Sequence, residues 1–213
     1  MIPASRFIEL LQDRDGLSRL SRNPTTVMND VDVDGKKIKI ATGSGEKKIE
    51  SIRLDNFNFL GRVRIEHFET LSFTADNSNF LKGLSFEGCS GSWLSIRNCC
   101  LESFDGFRNK FEVLNFEKVE GPPTERPEWQ CHPTLTISGY ELSREFALKE
   151  VQLKELVLTS HTEERFKAAA AKVDDPLWAL QLQLAGIKVY VSTEVAAKML
   201  EKGSFAERVR SVA

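Results

Sequence analysis

The sequence predicts an α+β fold centred on a short β-solenoid, and three observations predict it. A six-residue template recurs through the middle of the chain. Its recurrences fall about 21 residues apart or half that, and the flanking segments change to helical periodicity. The template is apolar, any, apolar, any, any, then a residue that is usually apolar or small. It reads Ile52-x-Leu54-x-x-Phe57, Val63-x-Ile65-x-x-Phe68 and Leu71-x-Phe73-x-x-Asp76. It continues as Leu84-x-Phe86-x-x-Cys89, Leu94-x-Ile96-x-x-Cys99 and Leu114-x-Phe116-x-x-Val119, and ends with Leu135-x-Ile137-x-x-Tyr140 and Leu156-x-Leu158-x-x-His161.

Taking the starts 52, 71, 94, 114, 135 and 156 as one track gives intervals of 19, 23, 20, 21 and 21. Starts 63 and 84, continued at Phe104 and Phe107, make a second track about midway between, and Phe146 falls 11 beyond Leu135. The chain is therefore expected to lay down two short strands per coil. Alternation along a strand puts Leu94 and Ile96 on one face and Ser95 and Arg97 on the other. Stacked coils bury two facing apolar ladders that no single coil could bury alone. The last template position, held by Cys89 and Cys99 in two coils, is expected to turn the chain inward after its strand.

The stretch Trp93-Leu94-Ser95-Ile96-Arg97-Asn98-Cys99-Cys100-Leu101-Glu102-Ser103-Phe104-Asp105-Gly106-Phe107 resembles the bacterial and phage variety of leucine-rich-repeat protein. Those read, per coil, as a strand, an Asn/Cys turn, Leu, a Ser-Leu pair and Gly. The resemblance covers residues 50–160 and implies a binding scaffold with no particular chemistry. The expected architecture is thus a short β-solenoid of leucine-rich-repeat-like coils with an N-terminal helix/hairpin cap over 1–49 and a C-terminal α/β cap over 161–213.

Residues 5–13 read as a helix capped by Ser5, with Phe7, Ile8, Leu10 and Leu11 on one face and Asp15-Gly16 as its stop. Val31-x-Val33-x-Gly35-x-x-Ile38-x-Ile40 reads as a hairpin turning at Asp34-Gly35, followed by the polar loop Thr42-Gly43-Ser44-Gly45. A proline-rich insertion loop spans 121–134, where three prolines within 121–129 exclude regular strand. Beyond Leu158 a helix is expected from Thr162 through the Ala168–Ala171 run, and another from Pro176 to Gly186. A strand at Ile187–Val191 and a last helix from Ser192 to Lys202 follow.

Function is bounded mainly by what the residues lack. Lys+Arg of 29 against Asp+Glu of 31 leaves a formal net charge of −2, without the basic stripe that displaces phosphate counterions, so no nucleic-acid partner is expected. No apolar run approaches the roughly 20 residues of a membrane span, and the first residues lack a signal-peptide pattern. Four scattered cysteines make no disulfide framework, which points to a cytoplasmic protein with reduced thiols. Cys131-His132 is the one adjacent cysteine–histidine nucleophile–base pair. Sequence neighbours rarely face each other for catalysis, and Cys89, Cys99, Cys100 and His132 lack zinc-type spacing. Neither an enzyme nor a cofactor is expected. The expected activity is protein binding, by an accessory or effector-like module, with self-association into a larger assembly as the alternative. Candidate contact residues are Arg126 and Trp129 in the proline-rich loop, and Arg53, Arg97 and Asn115 on the outward strand face.

Overall fold

The computed structural model describes residues 1–13, 22–37, 40–42, 45–47, 51–123, 132–138, 145–151, 153–159, 170–173 and 189–190. In chain order the elements begin β1 (Ile2–Pro3), α1 (Ala4–Gln12), β2 (Thr25–Met28), β3 (Val31–Asp34), β4 (Ile40–Thr42) and β5 (Gly45–Lys47). Next come β6 (Ser51–Asp55), β7 (Phe57–Phe59), β8 (Val63–Glu66), β9 (Ser72–Asp76), β10 (Asn79–Phe80), β11 (Leu84–Glu87) and β12 (Ser90–Leu101). The series ends with β13 (Ser103–Phe107), β14 (Lys110–Glu120), β15 (Thr134–Ser138), β16 (Glu145–Lys149), β17 (Glu155–Thr159), β18 (Ala170–Val173) and β19 (Val189–Tyr190).

All of these strands but β4 and β5 stack in parallel as a β-solenoid of about five turns. Sheet A carries β6, β9, β12, β14, β16, β18 and β19, with the short strands β1, β2, β7 and β10 extending it past a corner. Sheet B carries β3, β8, β11, β13, β15 and β17. The coil length is read from the register. Ser51 pairs with Ser72, Ser72 with Trp93 and Trp93 with Val113, steps of 21, 21 and 20 residues.

Each half-coil closes in the same way. A residue with left-handed backbone bends the chain, at the end of a strand or, at Asn98 and Lys118, within a long one, and the next side chain turns into the core. The left-handed residues include Asn56, His67, Asn77, Gly88, Asn98, Arg108 and Lys118. The buried followers are Phe57, Phe68, Ser78, Cys89, Cys99, Asn109 and Val119. Asn, which tolerates this conformation better than other side chains, takes three of those seven corners. The inward turn expected of Cys89 and Cys99 is thus present at both and recurs at five other bends of the described coils.

The core is rich in phenylalanine. Among the described residues eleven buried side chains are Phe and ten are Leu, so aromatic rings fill these coils together with leucine. Phe57, Phe59 and Phe80 stack nearly face to face, with centroids 5.7 and 5.1 Å apart. Phe73–Phe86 and Phe104–Phe116 meet edge to face at 4.8 and 5.0 Å, a preferred geometry for ring quadrupoles. Helix α1 lies against the first coil with Phe7, Leu10 and Leu11 buried, and Phe7 meets both Phe57 and Phe59 edge-on.

Several expectations are corrected. Val31–Asp34 is not a hairpin arm; it pairs in parallel with β8 as the first rung of sheet B. The antiparallel pair is β4 with β5, across the segment expected to be a loop. The alternation in Val31–Asp34 is that of a strand buried on one face, and Gly35 fits because a Cβ there would overlap the His67 carbonyl. Ser5 does not cap α1: Pro3 takes that position, extended, with no side-chain cap bond. Ala170 and Ala171 belong to β18, paired with β16, rather than to a helix. Leu71 lies outside its strand and is 61% exposed; the true inward pair is Phe73 and Ala75. Finally, Leu135 and Leu156 sit on sheet B, not on the ladder of Leu94 and Leu114. The other expected tail helices and most of the 121–134 loop lie outside the described residues.

Candidate functional site: the outer face of sheet A

Outward positions on sheet A form three rows across the coils. At the strand starts stand Ser51, Ser72, Trp93 and Val113. The middle row is Arg53, Thr74, Ser95, Asn115 and Ala147, and the strand ends carry Asp55, Asp76, Arg97, Glu117 and Lys149. A large apolar side chain is out of place on such a face. Trp93 is nevertheless 53% exposed, with the exposed Leu71 next to Ser72, its register partner. Exposed apolar groups that cluster mark contact surfaces more often than isolated ones do.

Small polar groups flank the indole. Ser72 Oγ donates to Ser51 Oγ at 3.0 Å, and Asn115 Nδ2 donates to Ser95 Oγ at 3.1 Å. Ser95 is only 9% exposed, so the middle row is a shallow trough between the tryptophan row and the charged row. The charges pair with one another along the solenoid axis. Arg97 donates to Asp76 Oδ2 at 3.1 Å, Asn98 Nδ2 to Asp76 Oδ1 at 2.8 Å, and Lys149 to Glu117 Oε1 at 2.9 Å. The Lys149 ammonium holds the Glu117 carboxyl below the usual carboxylate range, with Arg97 and Lys118 adding to the effect.

The expected contact residues divide accordingly. Arg53 and Arg97 are exposed on this face, each in an ion pair, with Asp55 and Asp76 respectively. Asn115 is half-buried and spends one amide hydrogen on Ser95. Ser85 and Thr136, which share the outward parity, face out from sheet B instead. Arg126, Trp129 and Cys131 lie outside the described residues. Trp93 is the residue that sequence reasoning passed over. Its signal was present: an aromatic at the same parity as the polar Ser95 and Arg97.

Two other places carry polar groups. A recess of about 360 Å³ between α1 and sheet B is lined by Ile8, Gln12, Asp32, Val33, Asp34, Lys37, Arg64 and Glu66. Its charges engage one another: Arg64 pairs with Glu66 and Glu87, and Lys37 with Asp34. Cys89 and Cys99 are corner residues. Burial pushes the Cys89 thiol up to about 11 and the Cys99 thiol up to about 12, far from the thiolate that nucleophilic or metal chemistry needs. Among the described residues no three His, Cys, Asp or Glu side chains are grouped to hold a metal ion. No helix among them is long and apolar enough to cross a membrane.

Comparison of the chain with protein-family models, with curated proteins and with solved structures finds no match.

Proposed function

We propose that this protein is a non-enzymatic protein–protein interaction module that makes contact through the outer face of sheet A. The exposed Trp93 beside Leu71, on a rigid sheet whose other outward groups are small or already paired, carries this reading. Tryptophan is among the residues that dominate binding energy in interfaces, and a parallel solenoid holds it with little loss of freedom on binding. The leucine-rich-repeat-like character of the Trp93–Phe107 stretch, and with it a bacterial or phage accessory or effector-like role, belongs to the same proposal. So do a cytoplasmic location, in keeping with the free thiols of Cys89, Cys99 and Cys100, and the capping of the solenoid by α1 and the tail.

A photo-crosslinking amino acid at Thr74, in the trough beside Ser95, tests the reading in cells expressing the protein. Polypeptide adducts should form from position 74, disappear with Trp93→Ala, and be absent from a control probe at Ser85 on sheet B. An absence of adducts from position 74, or equal adducts from both faces, overturns it.

A further inference from the structure

We infer that the occupant of the sheet A face is a second copy of this chain, docked face to face about a two-fold axis running along the strands between β12 and β14. The inference rests on reading that face as a protein-contact surface, and names its partner. A two-fold interface must be self-complementary, because each residue meets a residue of the same patch on the other copy. An axis along the strands, lying in the plane of the face, leaves each row opposite itself and reverses the order of the coils. Centred between β12 and β14, it sets position 93 opposite 113, 95 opposite 115, 97 opposite 117, 74 opposite 147 and 76 opposite 149.

The residues at those positions match row by row. In the strand-end row the signs alternate from Asp76 through Arg97 and Glu117 to Lys149. Reversal therefore brings Arg97 over Glu117 and Asp76 over Lys149, an opposite charge at each of these four positions, with Asp55 outside the four facing rungs. In the first row Trp93 meets Val113, apolar on apolar. In the middle row Ser95 meets Asn115, hydrogen-bonding groups on both sides, and Thr74 meets the small Ala147. Moving the axis onto either neighbouring strand destroys the match. Centred on β12 it would put Asp76 over Glu117, and centred on β14 it would put Arg97 over Lys149, like charges in each case. The alternation that pairs charges within one chain is thus also the pattern that pairs them between two.

Four rungs about 4.8 Å apart and strands of five residues give a face of roughly 20 by 17 Å. Two such faces bury about 700 Å² in total, below the range of stable specific interfaces, so self-association is expected to be weak and visible only at high protein concentration.

Sedimentation velocity of the purified full chain, from micromolar to several hundred micromolar, reads the equilibrium. The wild type should pass from monomer to dimer across that range, and Trp93→Ala should weaken the dimer at least ten-fold. Arg97→Glu and Glu117→Arg should each be monomeric alone, because each places like charges opposite one another twice per dimer. Mixed together they should dimerise, since both cross-pairs are then restored. Melting curves establish that each variant is folded; Trp93→Ala stands in if a charge variant is not. A wild type that stays monomeric throughout, a Trp93→Ala protein that dimerises like wild type, or a mixture that stays monomeric overturns the inference. The crosslinking at Thr74 separates the two readings. Adducts to a different protein, with a monomeric wild type, leave the interaction module standing and remove the dimer; no adducts at all remove both.

Discussion

The side chain of Asn109 clasps the coil before it at Cys89. Its Oδ1 accepts the Cys89 backbone N–H at 2.8 Å, and its Nδ2 donates to the Phe86 carbonyl at 2.9 Å. Cys89 repeats this one coil earlier with a thiol, accepting the Phe68 N–H at 3.4 Å, and Ser78 does so on the other track with the Phe57 N–H at 3.0 Å. Parallel strands leave the bends between them without ladder bonds, and these buried side chains supply the missing partners. Only Asn109 serves a donor and an acceptor with two separate atoms at full amide strength.

Asn109→Leu should therefore destabilise the fold by about 2–4 kcal/mol, since it strands two buried backbone groups. Asn109→Ser should cost less, because Ser78 does the same work in an equivalent corner. Equilibrium denaturation of the two variants beside the wild type checks the order. A Leu variant as stable as the wild type would mean that the clasp contributes nothing.

Two glycines in one half-coil should respond in opposite ways. Gly91 faces the preceding coil so closely that a Cβ would overlap the Thr70 carbonyl oxygen. Gly91→Ala should cost about 1–3 kcal/mol, as forced overpacking does. Gly88 sits at φ +61° in the corner position that Asn occupies at 56, 77 and 98, with only the far end of the His67 ring nearby. Gly88→Asn should be nearly neutral. Thermal melts of both variants make the comparison directly.

The solenoid was legible because burial on one face enforces alternation, and the half-coil corner enforces a gap of three after each gap of two. Its phase was less legible, for a physical reason. The insertion after β14 is close to half a coil long: Phe104 pairs with Leu135 across 31 residues instead of about 20. Leu114 and Leu135 are 21 apart in sequence, so half a coil plus the insertion imitated one whole coil and moved Leu135 onto the wrong track. A second insertion, between β3 and β6, hid the first rung of sheet B in the same way, since Val31 pairs with Val63 across 32 residues. Leu71 misled by hydrophobicity alone, and small Ala75 concealed the true strand. On the outer face the charged and amide residues were visible by parity. Their pairing was not, because Arg97 meets Asp76 only once the coils are stacked.

Phe86 sits at a crossing of aromatic contacts, with Phe73 at 4.8 Å, Phe104 at 5.9 Å and Phe111 at 6.2 Å between ring centroids. Phe86→Ala should cost about 3–5 kcal/mol, the range for emptying a buried aromatic site. Phe86→Leu keeps most of the volume and should cost well under half of that. If the two variants lose equal stability in urea unfolding, the rings act through quadrupole geometry more than through filled space.

Alkaline pH should weaken the fold through the corner thiols. Burial raises Cys89 from an ordinary value of 9.0 to about 11 and Cys99 to about 12, with nearby carboxylates (Glu66 and Glu87 for the first, Asp76 for the second) adding in the same direction. An unfolded chain ionises these thiols at the ordinary value, whereas the folded chain holds them neutral. The stabilisation is therefore complete below about pH 9 and is lost progressively as pH rises toward the folded values. Lysines and tyrosines titrate in the same range, so the test is a difference between variants. Cys99→Ser places at this corner the side chain that Ser78 already carries at the preceding one, and should remove part of the decline between pH 9 and pH 12. Melting temperatures of wild type and Cys99→Ser, measured in parallel across that window, should diverge with the wild type falling faster. Curves that stay parallel would show that Cys99 ionises as readily in the folded chain as in the unfolded one.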